Sequence, residues 1–300
     1  MARVRTEYLI EAAALATFMV SACVFGTVIF HPGSPVGRIL HEPWMRRAVM
    51  GILMGLTAVT IIYSPWGKRS GAHMNPALTI TFFRLGRVAP RDAAHYVAAQ
   101  FAGAILGVLI ARLLVGAPLA DPAVHYVVTR PGMAGVAAAF AGELVISMVL
   151  MLTVLSMSAS PRVARFTGLV AGALVALFIT FEDPLSGMSM NPARTFGSAV
   201  VARDWTALWL YFTAPLAGMM LAAHLHLRVM RRAVACPKLA HAEPCLFCQY
   251  VGRRSRPGTA EGRRRPQTTA TTTSTAYDAD YTDWNGDTAD TPTPTAKDSC

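Results

Sequence analysis

Two polar segments of nearly the same sequence carry the side chains best suited to chemistry in this chain. The first reads SGAHMNPALT over 70–79 and the second reads SGMSMNPART over 186–195. In each, an Asn side-chain oxygen can cap the free N–H groups of a helix start, and Pro suits the first helical position. The Asn amide can still donate N–H groups to an uncharged molecule that has lone pairs. The repeated triplets, which predict a site for small polar solutes, are Asn75, Pro76, Ala77 and Asn191, Pro192, Ala193.

The composition indicates that these segments lie in a membrane. Hydrophobic residues make up 53% of the chain, charged residues make up only 15%, and the mean hydropathy is +0.40. Charged residues form about a quarter of a typical soluble domain, and a helix needs about 20 apolar residues to cross a bilayer. The predicted membrane spans are six apolar runs at about 6–30, 44–63, 93–115, 134–158, 164–181 and 205–228.

The stretches that follow the two triplets are predicted to be re-entrant half-helices. They cover about 75–84 and 191–201, and they are apolar but too short to cross the membrane. Each copy of the motif has three spans, and an odd number of crossings inverts the second copy relative to the first. The two half-helix starts then meet at the midplane, where their positive dipole ends oppose cations. We therefore predict an all-α membrane protein with six transmembrane helices and two half-helices in an inverted repeat around a central pore.

The same repeat sets the predicted domain boundaries. Residues 1–232 form the channel domain, with one repeat at about 1–115 and the other at about 134–232. Residues 233–252 form a cytoplasmic segment that contains Cys and His. Residues 253–300 are rich in Arg and Pro and then in Thr, Asp and Ala, which predicts a disordered tail.

Loop charges give the orientation of the chain. Lys and Arg are more frequent in the loops on the side of both termini, so both termini are predicted to be cytoplasmic. This asymmetry explains most of the net charge of +10, and no basic groove motif points to a nucleic acid partner. Arg3 and Arg5, followed by an apolar run that reaches Cys23, resemble a cleaved signal, but Glu11 inside that run argues against cleavage.

Taken together, these features resemble the aquaporin, or major intrinsic protein, family over about residues 6–230. The resemblance is carried by both triplets, by Arg194 directly after the second, by the paired Glu11 and Glu143, and by Pro215 in the last span. It implies a channel for water and small neutral solutes in a lipid membrane, in this case the inner membrane of a bacterium. It also implies a homotetramer.

A narrow filter is the family feature that sets selectivity. In the family, the Arg after the second triplet forms this filter with three further side chains, which implies that role for Arg194. Spacing relative to the family pattern gives Met188 and Ile179, three and twelve positions before Asn191, and Met54 from the second span. Water-selective members offer an aromatic residue and a His at two of these positions. Two Met side chains and one Ile instead predict a flexible apolar wall that admits small uncharged solutes.

Other positions favour water over glycerol. Thr195, Ala199 and the pair Tyr211 and Phe212 differ from the residues that glycerol facilitators usually carry, and 182–190 lacks their insertion. We therefore expect a water channel, with a glycerol or small-solute facilitator as the alternative.

Glu11, Glu143 and His73 each have two interpretations. The resemblance implies that each Glu accepts N–H bonds from the re-entrant loop of its own repeat, whereas a buried carboxylate could also relay protons in a coupled transporter. His73, two residues before Asn75, is expected to line the pore or bond a loop carbonyl, with a pH gate as the alternative.

A cysteine and histidine cluster follows the last span. Cys236, His241, Cys245 and Cys248 have the ligand types and close spacing of a zinc or iron-sulfur site. The competing interpretation is free thiols at the membrane surface, open to palmitoylation. The cluster also supports a function of another class, a metal- or redox-responsive sensor on a channel scaffold. The channel itself requires no cofactor, and no catalytic constellation indicates an enzyme.

Overall fold

The computed structural model describes residues 6–229, 236–240 and 247, and the regular structure of these residues is helical throughout. In chain order the α-helices are α1 (Thr6–Phe30), α2 (Pro35–Ile39), α3 (Pro43–Tyr63), α4 (Pro65–Ser70), α5 (Pro76–Arg84), α6 (Pro90–Val115), α7 (Gly135–Ser158), α8 (Thr167–Phe181), α9 (Asp183–Ser186), α10 (Pro192–Ala202) and α11 (Leu208–Arg228). Among the described residues, six helical stretches are long and apolar enough to cross a membrane, namely α1, α3, α6, α7, the stretch Ala164–Phe181 that contains α8, and α11. The predicted spans are confirmed, and the chain is an integral membrane protein.

Helices α5 and α10 are the two half-helices. They contain 9 and 11 residues, so neither can cross the hydrocarbon layer. Asn75 caps α5 and Asn191 caps α10, and Pro76 and Pro192 occupy the first helical positions. The helix starts therefore form as the Asn-Pro pairs predict.

A short helix precedes each half-helix, and the sequence analysis did not predict it. Gly71 follows the last residue of α4 and Gly187 follows the last residue of α9, and both glycines cap their helix in a left-handed conformation, with φ of 99° and 78°. Glycine adopts this conformation without the steric cost of a Cβ. The two loops therefore begin from the same turn in both repeats.

Glycines allow the spans to pack closely in pairs. A Cβ at Gly103 of α6 would lie 2.2 Å from the carbonyl oxygen of Ala12 in α1. A Cβ at Gly55 of α3 would lie 2.5 Å from the carbonyl oxygen of Gly172 in α8. Helix α5 packs against α11, and α10 packs against α6. Each half-helix is thus held by the last span of the other repeat.

Candidate functional site

The two loops that lead into the half-helices have matching backbone conformations. Ala72 and Met74 in the first loop have φ of 51° and 48°, and Met188 and Met190 in the second have φ of 43° and 55°. Residues with a Cβ pay a steric cost in this region, so such conformations persist only where surrounding bonds hold them. The loops therefore need anchors.

Glu11 of α1 anchors the first loop. Its Oε1 accepts hydrogen bonds from the Ser70 hydroxyl at 2.8 Å and the His73 amide at 3.0 Å. Its Oε2 accepts from the Met74 amide at 2.7 Å and from Gln100 Nε2 at 2.9 Å. Four donors converge on one fully buried side chain, which matches the accepting capacity of an ionised carboxylate.

Glu143 of α7 anchors the second loop in the same way. Its Oε1 accepts from the Ser186 hydroxyl at 2.9 Å and the Ser189 amide at 2.6 Å, and its Oε2 accepts from the Met190 amide at 2.7 Å. Tyr211 donates to the Ser186 carbonyl at 2.5 Å. Both carboxylates thus have loop donors as partners, the arrangement expected of anchors.

The two Asn side chains join the loops across the midplane. Asn75 Nδ2 donates to the Met190 carbonyl and Asn191 Nδ2 donates to the Met74 carbonyl, both at 2.7 Å. Asn75 Oδ1 accepts from the Ala77 amide at 2.9 Å. An amide nitrogen has two hydrogens, so each Asn keeps one N–H for a solute. One N–H group of each Asn amide is thus bonded within the protein, whereas the sequence led us to expect both to be available to a solute.

A cavity of about 310 Å³ lies beside the two Asn side chains and Arg194. Its wall includes the predicted filter and pore side chains Met54, His73, Asn75, Ile179, Met188, Asn191 and Arg194. The other triplet residues, Pro76, Ala77, Pro192 and Ala193, are buried in the first turns of α5 and α10. The rest of the wall is mainly apolar, with Ala58 and Ile62 from α3 and Val175 from α8. The structure therefore brings the predicted filter and pore side chains together around one lumen.

Met50 also lines this cavity, and the sequence analysis missed it. It lies one helical turn before Met54, and both are buried against Ile179 and Val175. Residues four apart share a helix face, so the recurrence of Met50, Met54 and Ala58 was the available signal. The wall from α3 therefore presents two thioethers to the lumen.

Arg194 supplies the positive charge in this wall. Its Nη1 is buried and has no hydrogen-bond partner among the residues that the structure describes. A buried donor without a partner costs free energy unless a solute or water satisfies it. Arg47 and Asp183 line the same cavity and are the other charged residues in its described wall. Arg194 is thus placed to donate to a molecule in the lumen.

His73 lies in the first loop and has partners on both ring nitrogens. Its Nδ1 lies 3.1 Å from Thr79 Oγ1, and its Nε2 lies 2.8 Å from the Pro237 carbonyl oxygen. Because a carbonyl only accepts, Nε2 carries a hydrogen here, which a neutral ring can supply. Ser189 occupies the corresponding place in the second loop. The carbonyl partner of His73 comes from the segment after α11, not from its own loop.

An ion-pair cluster ties the loop between α6 and α7 to the end of α10. Asp204 Oδ2 accepts from Arg130 Nε at 2.5 Å and lies 3.1 Å from His125 Nε2, while its Oδ1 accepts from the Thr206 amide at 3.1 Å. Burial raises the pKa of Asp204, but the hydrogen bonds from Thr206, Arg130 and His125 outweigh it and hold that pKa well below its ordinary value. The loop bearing Val127 and Val128, which line the cavity, is fixed by this cluster.

The predicted metal cluster lies largely outside the described residues. Cys236 is described, and its side chain is half-buried. His241, Cys245 and Cys248 fall in 241–246 and 248–300, outside the described part of the chain. The zinc or iron-sulfur site stays a prediction.

The arrangement of spans, half-helices and lumen defines a membrane channel fold built from an inverted repeat. The family model of the major intrinsic proteins matches residues 6–226, and the chain belongs to that family.

Known relatives and a solved structure agree with this assignment. Aquaporin NIP1-3 of Oryza sativa subsp. japonica is 38% identical over 152 residues, which are 50% of this chain and 51% of the relative. The probable aquaporin AqpM of Archaeoglobus fulgidus is 36% identical over 150 residues, 49% of this chain and 60% of the relative. The aquaglyceroporin of Plasmodium falciparum has a TM-score of 0.64 at 20% identity, over 78% of this chain and 97% of that one. The chain spans about half the length of the first relative, and the solved structure supports the fold.

Proposed function

We propose that this chain is a passive channel that conducts water and admits small neutral solutes. The observation that carries the proposal is the lumen beside Asn75, Asn191 and Arg194. These three side chains offer hydrogen-bond donors at successive points along an otherwise mainly apolar wall. A molecule with lone pairs can exchange one donor for the next, and the apolar wall between them offers little to retain it.

Electrostatics at the same place oppose the passage of cations. Helices α5 and α10 both begin at the lumen, so the positive ends of their dipoles face it together with the Arg194 guanidinium. The described wall carries two Arg side chains, Arg47 and Arg194, and one carboxylate, Asp183, so a cation would meet a net positive wall. The proposal therefore excludes cations, including protons, as cargo.

The names of two relatives, both aquaporins, support water as the principal solute. The loop charges support an orientation with both termini in the cytoplasm, and family membership supports a homotetramer. Location in a bacterial inner membrane stays a prediction from the sequence. The same wall supports a second candidate function, glycerol conduction, because Met50, Met54 and Met188 can change rotamer and widen the lumen.

Stopped-flow light scattering on proteoliposomes tests the proposal. Water and glycerol permeabilities are measured for the native chain, for Met188→Trp, which places an indole in the lumen, and for Met133→Trp, whose side chain is fully exposed. We expect fast water flow and slower glycerol flow, with water flow abolished only by Met188→Trp. Native water flow equal to that of protein-free vesicles would refute the channel. Glycerol flow as fast as water flow would assign the protein to the small-solute facilitators.

A further inference from the structure

Part of the chain that follows α11 packs against the first loop, where His73 lies, and contributes Leu239 to the wall of the lumen. We define the strap as residues 236–240 together with Phe247. Its side chains are enclosed: Lys238 is 4% exposed, Leu239 5% and Phe247 1%. A segment that merely rested on the surface would leave its Lys in water. The strap is therefore seated in the channel domain.

Two hydrogen bonds to backbone carbonyls fix the strap against the first loop. The Leu239 amide donates to the Gly71 carbonyl at 3.3 Å, and His73 Nε2 donates to the Pro237 carbonyl at 2.8 Å. A Cβ on Gly71 would lie 3.1 Å from Lys238 Cγ. The bare backbone of Gly71 is thus the surface on which the strap lies.

An aromatic contact anchors the far end of the strap. The Phe247 ring stacks on His73 with centroids 5.4 Å apart and an interplanar angle of 5°. It also meets the Tyr96 ring edge to face at 5.8 Å. Such pairs add to the apolar burial of the ring. His73 therefore holds the strap twice, by a hydrogen bond to Pro237 and by stacking with Phe247.

The strap enters the wall of the lumen itself. Leu239 lines the cavity together with His73, Leu150 and Val154. Ser189 holds the place of His73 in the second loop, where its hydroxyl bonds Thr195 and the Asn191 carbonyl within its own repeat. His73 thus bonds a residue of the strap, whereas Ser189 bonds residues of its own repeat.

We propose that the strap is an intramolecular cap that restricts flow at the inner mouth, and that its release raises the permeability of the channel. The proposal rests on the channel function proposed above. Its distinguishing feature is that the chain beyond α11 regulates the lumen by direct contact with a pore-lining His. A neutral His73 suffices for both contacts, so the cap does not require a charged ring.

Full-length variants test the cap with two readouts. Phe247→Ala removes the anchoring ring, and Leu239→Glu places a carboxylate in the apolar seat. Phe181→Ala, at a side chain 76% exposed, controls for the loss of a phenyl ring elsewhere. The first readout is acylation of the Lys238 amine, quantified by mass spectrometry against Lys68 in the same molecule. The second is water permeability per protein in proteoliposomes.

We expect slow Lys238 acylation in the native chain and in Phe181→Ala. Removing a buried Phe ring shifts a local equilibrium by roughly 150- to 5,000-fold, so acylation of Lys238 should rise strongly in Phe247→Ala. It should also rise in Leu239→Glu, because a carboxylate in an apolar seat is unfavourable. Water permeability should rise several-fold in the same two variants.

Each contrary outcome has a distinct meaning. Native Lys238 that reacts as fast as Lys68 would show that the strap is not seated, which overturns the cap. Faster acylation with unchanged, fast water flow would overturn the cap and leave the channel intact. Faster acylation with no water flow in any variant would overturn the channel function, and the cap with it.

Discussion

Replacing Glu11 with Gln should loosen the first loop by an amount that the structure allows to be worked out. Oε1 takes the His73 amide at 3.0 Å and Oε2 takes the Met74 amide at 2.7 Å. Gln keeps one acceptor oxygen and presents an NH2 group in place of the other. The Ser70 hydroxyl can rotate and the Gln100 amide can turn, but a backbone N–H cannot. At least one loop amide therefore loses its acceptor.

The lost acceptor sets the expected magnitude. A buried N–H without a partner costs about 1–3 kcal/mol. Local opening of the loop becomes easier by that amount, and 1.36 kcal/mol corresponds to about tenfold, so hydrogen exchange should rise roughly 5- to 150-fold. The amides to follow are those of His73 and Met74. Hydrogen–deuterium exchange with mass spectrometry of the peptide that covers 70–75 measures the change.

Glu7→Gln is the matched control, because Glu7 lies one turn before Glu11 on α1. Glu7 pairs with Arg69 at 3.0 Å near the surface, and such pairs contribute about 0–1 kcal/mol. Exchange at 70–75 should change by less than about fivefold in this variant. Native exchange rates at His73 and Met74 in Glu11→Gln would refute the anchor. A proton relay through Glu11 would instead leave exchange unchanged while abolishing transport driven by a pH gradient.

Three further perturbations follow from the same structure. Gly103→Ala should destabilise the fold by about 1–3 kcal/mol, because its Cβ would lie 2.2 Å from the Ala12 carbonyl oxygen; a denaturation series in detergent measures this, and native stability would contradict it. Asp204→Asn should lower the free energy of unfolding near neutral pH. Because the folded pKa of Asp204 is depressed, this loss of stability should be complete above about pH 4 and should disappear as the pH falls further. A loss that stays constant across this pH range would contradict the prediction. Arg194→Ala should retain water flow and gain a cation leak, which is measured as a membrane current. No cation current in this variant would show that the half-helix dipoles exclude cations without the guanidinium.

Membrane spans and half-helices could be predicted because they depend on local sequence. Apolar length fixes each span, and Asn75-Pro76 and Asn191-Pro192 start helices whatever surrounds them. The anchoring by Glu11 and Glu143 was available through the family resemblance. The short helices α4 and α9 were missed, because their glycine ends resemble any loop turn.

Contacts between distant segments could not be predicted. The spacing of Met50 and Met54 places both on one face of α3, but whether that face lines the lumen depends on the rotation of α3, which Gly51 and Gly55 set by packing on α8. The bond from His73 to Pro237 joins residues 164 positions apart, and no periodicity in either segment signals it. From the sequence, a loop carbonyl was an expected partner of His73, but a carbonyl from the segment beyond α11 was not foreseen.

The central claim is a passive path for water that excludes protons. Proteoliposomes loaded with a pH-sensitive dye test it most directly, because osmotic water flow and proton flow are followed in the same vesicles. We expect water flow well above that of protein-free vesicles, independent of an imposed pH gradient and without acidification of the vesicle interior. Proton flow that accompanies the water, or water flow that only a pH gradient can drive, would contradict it.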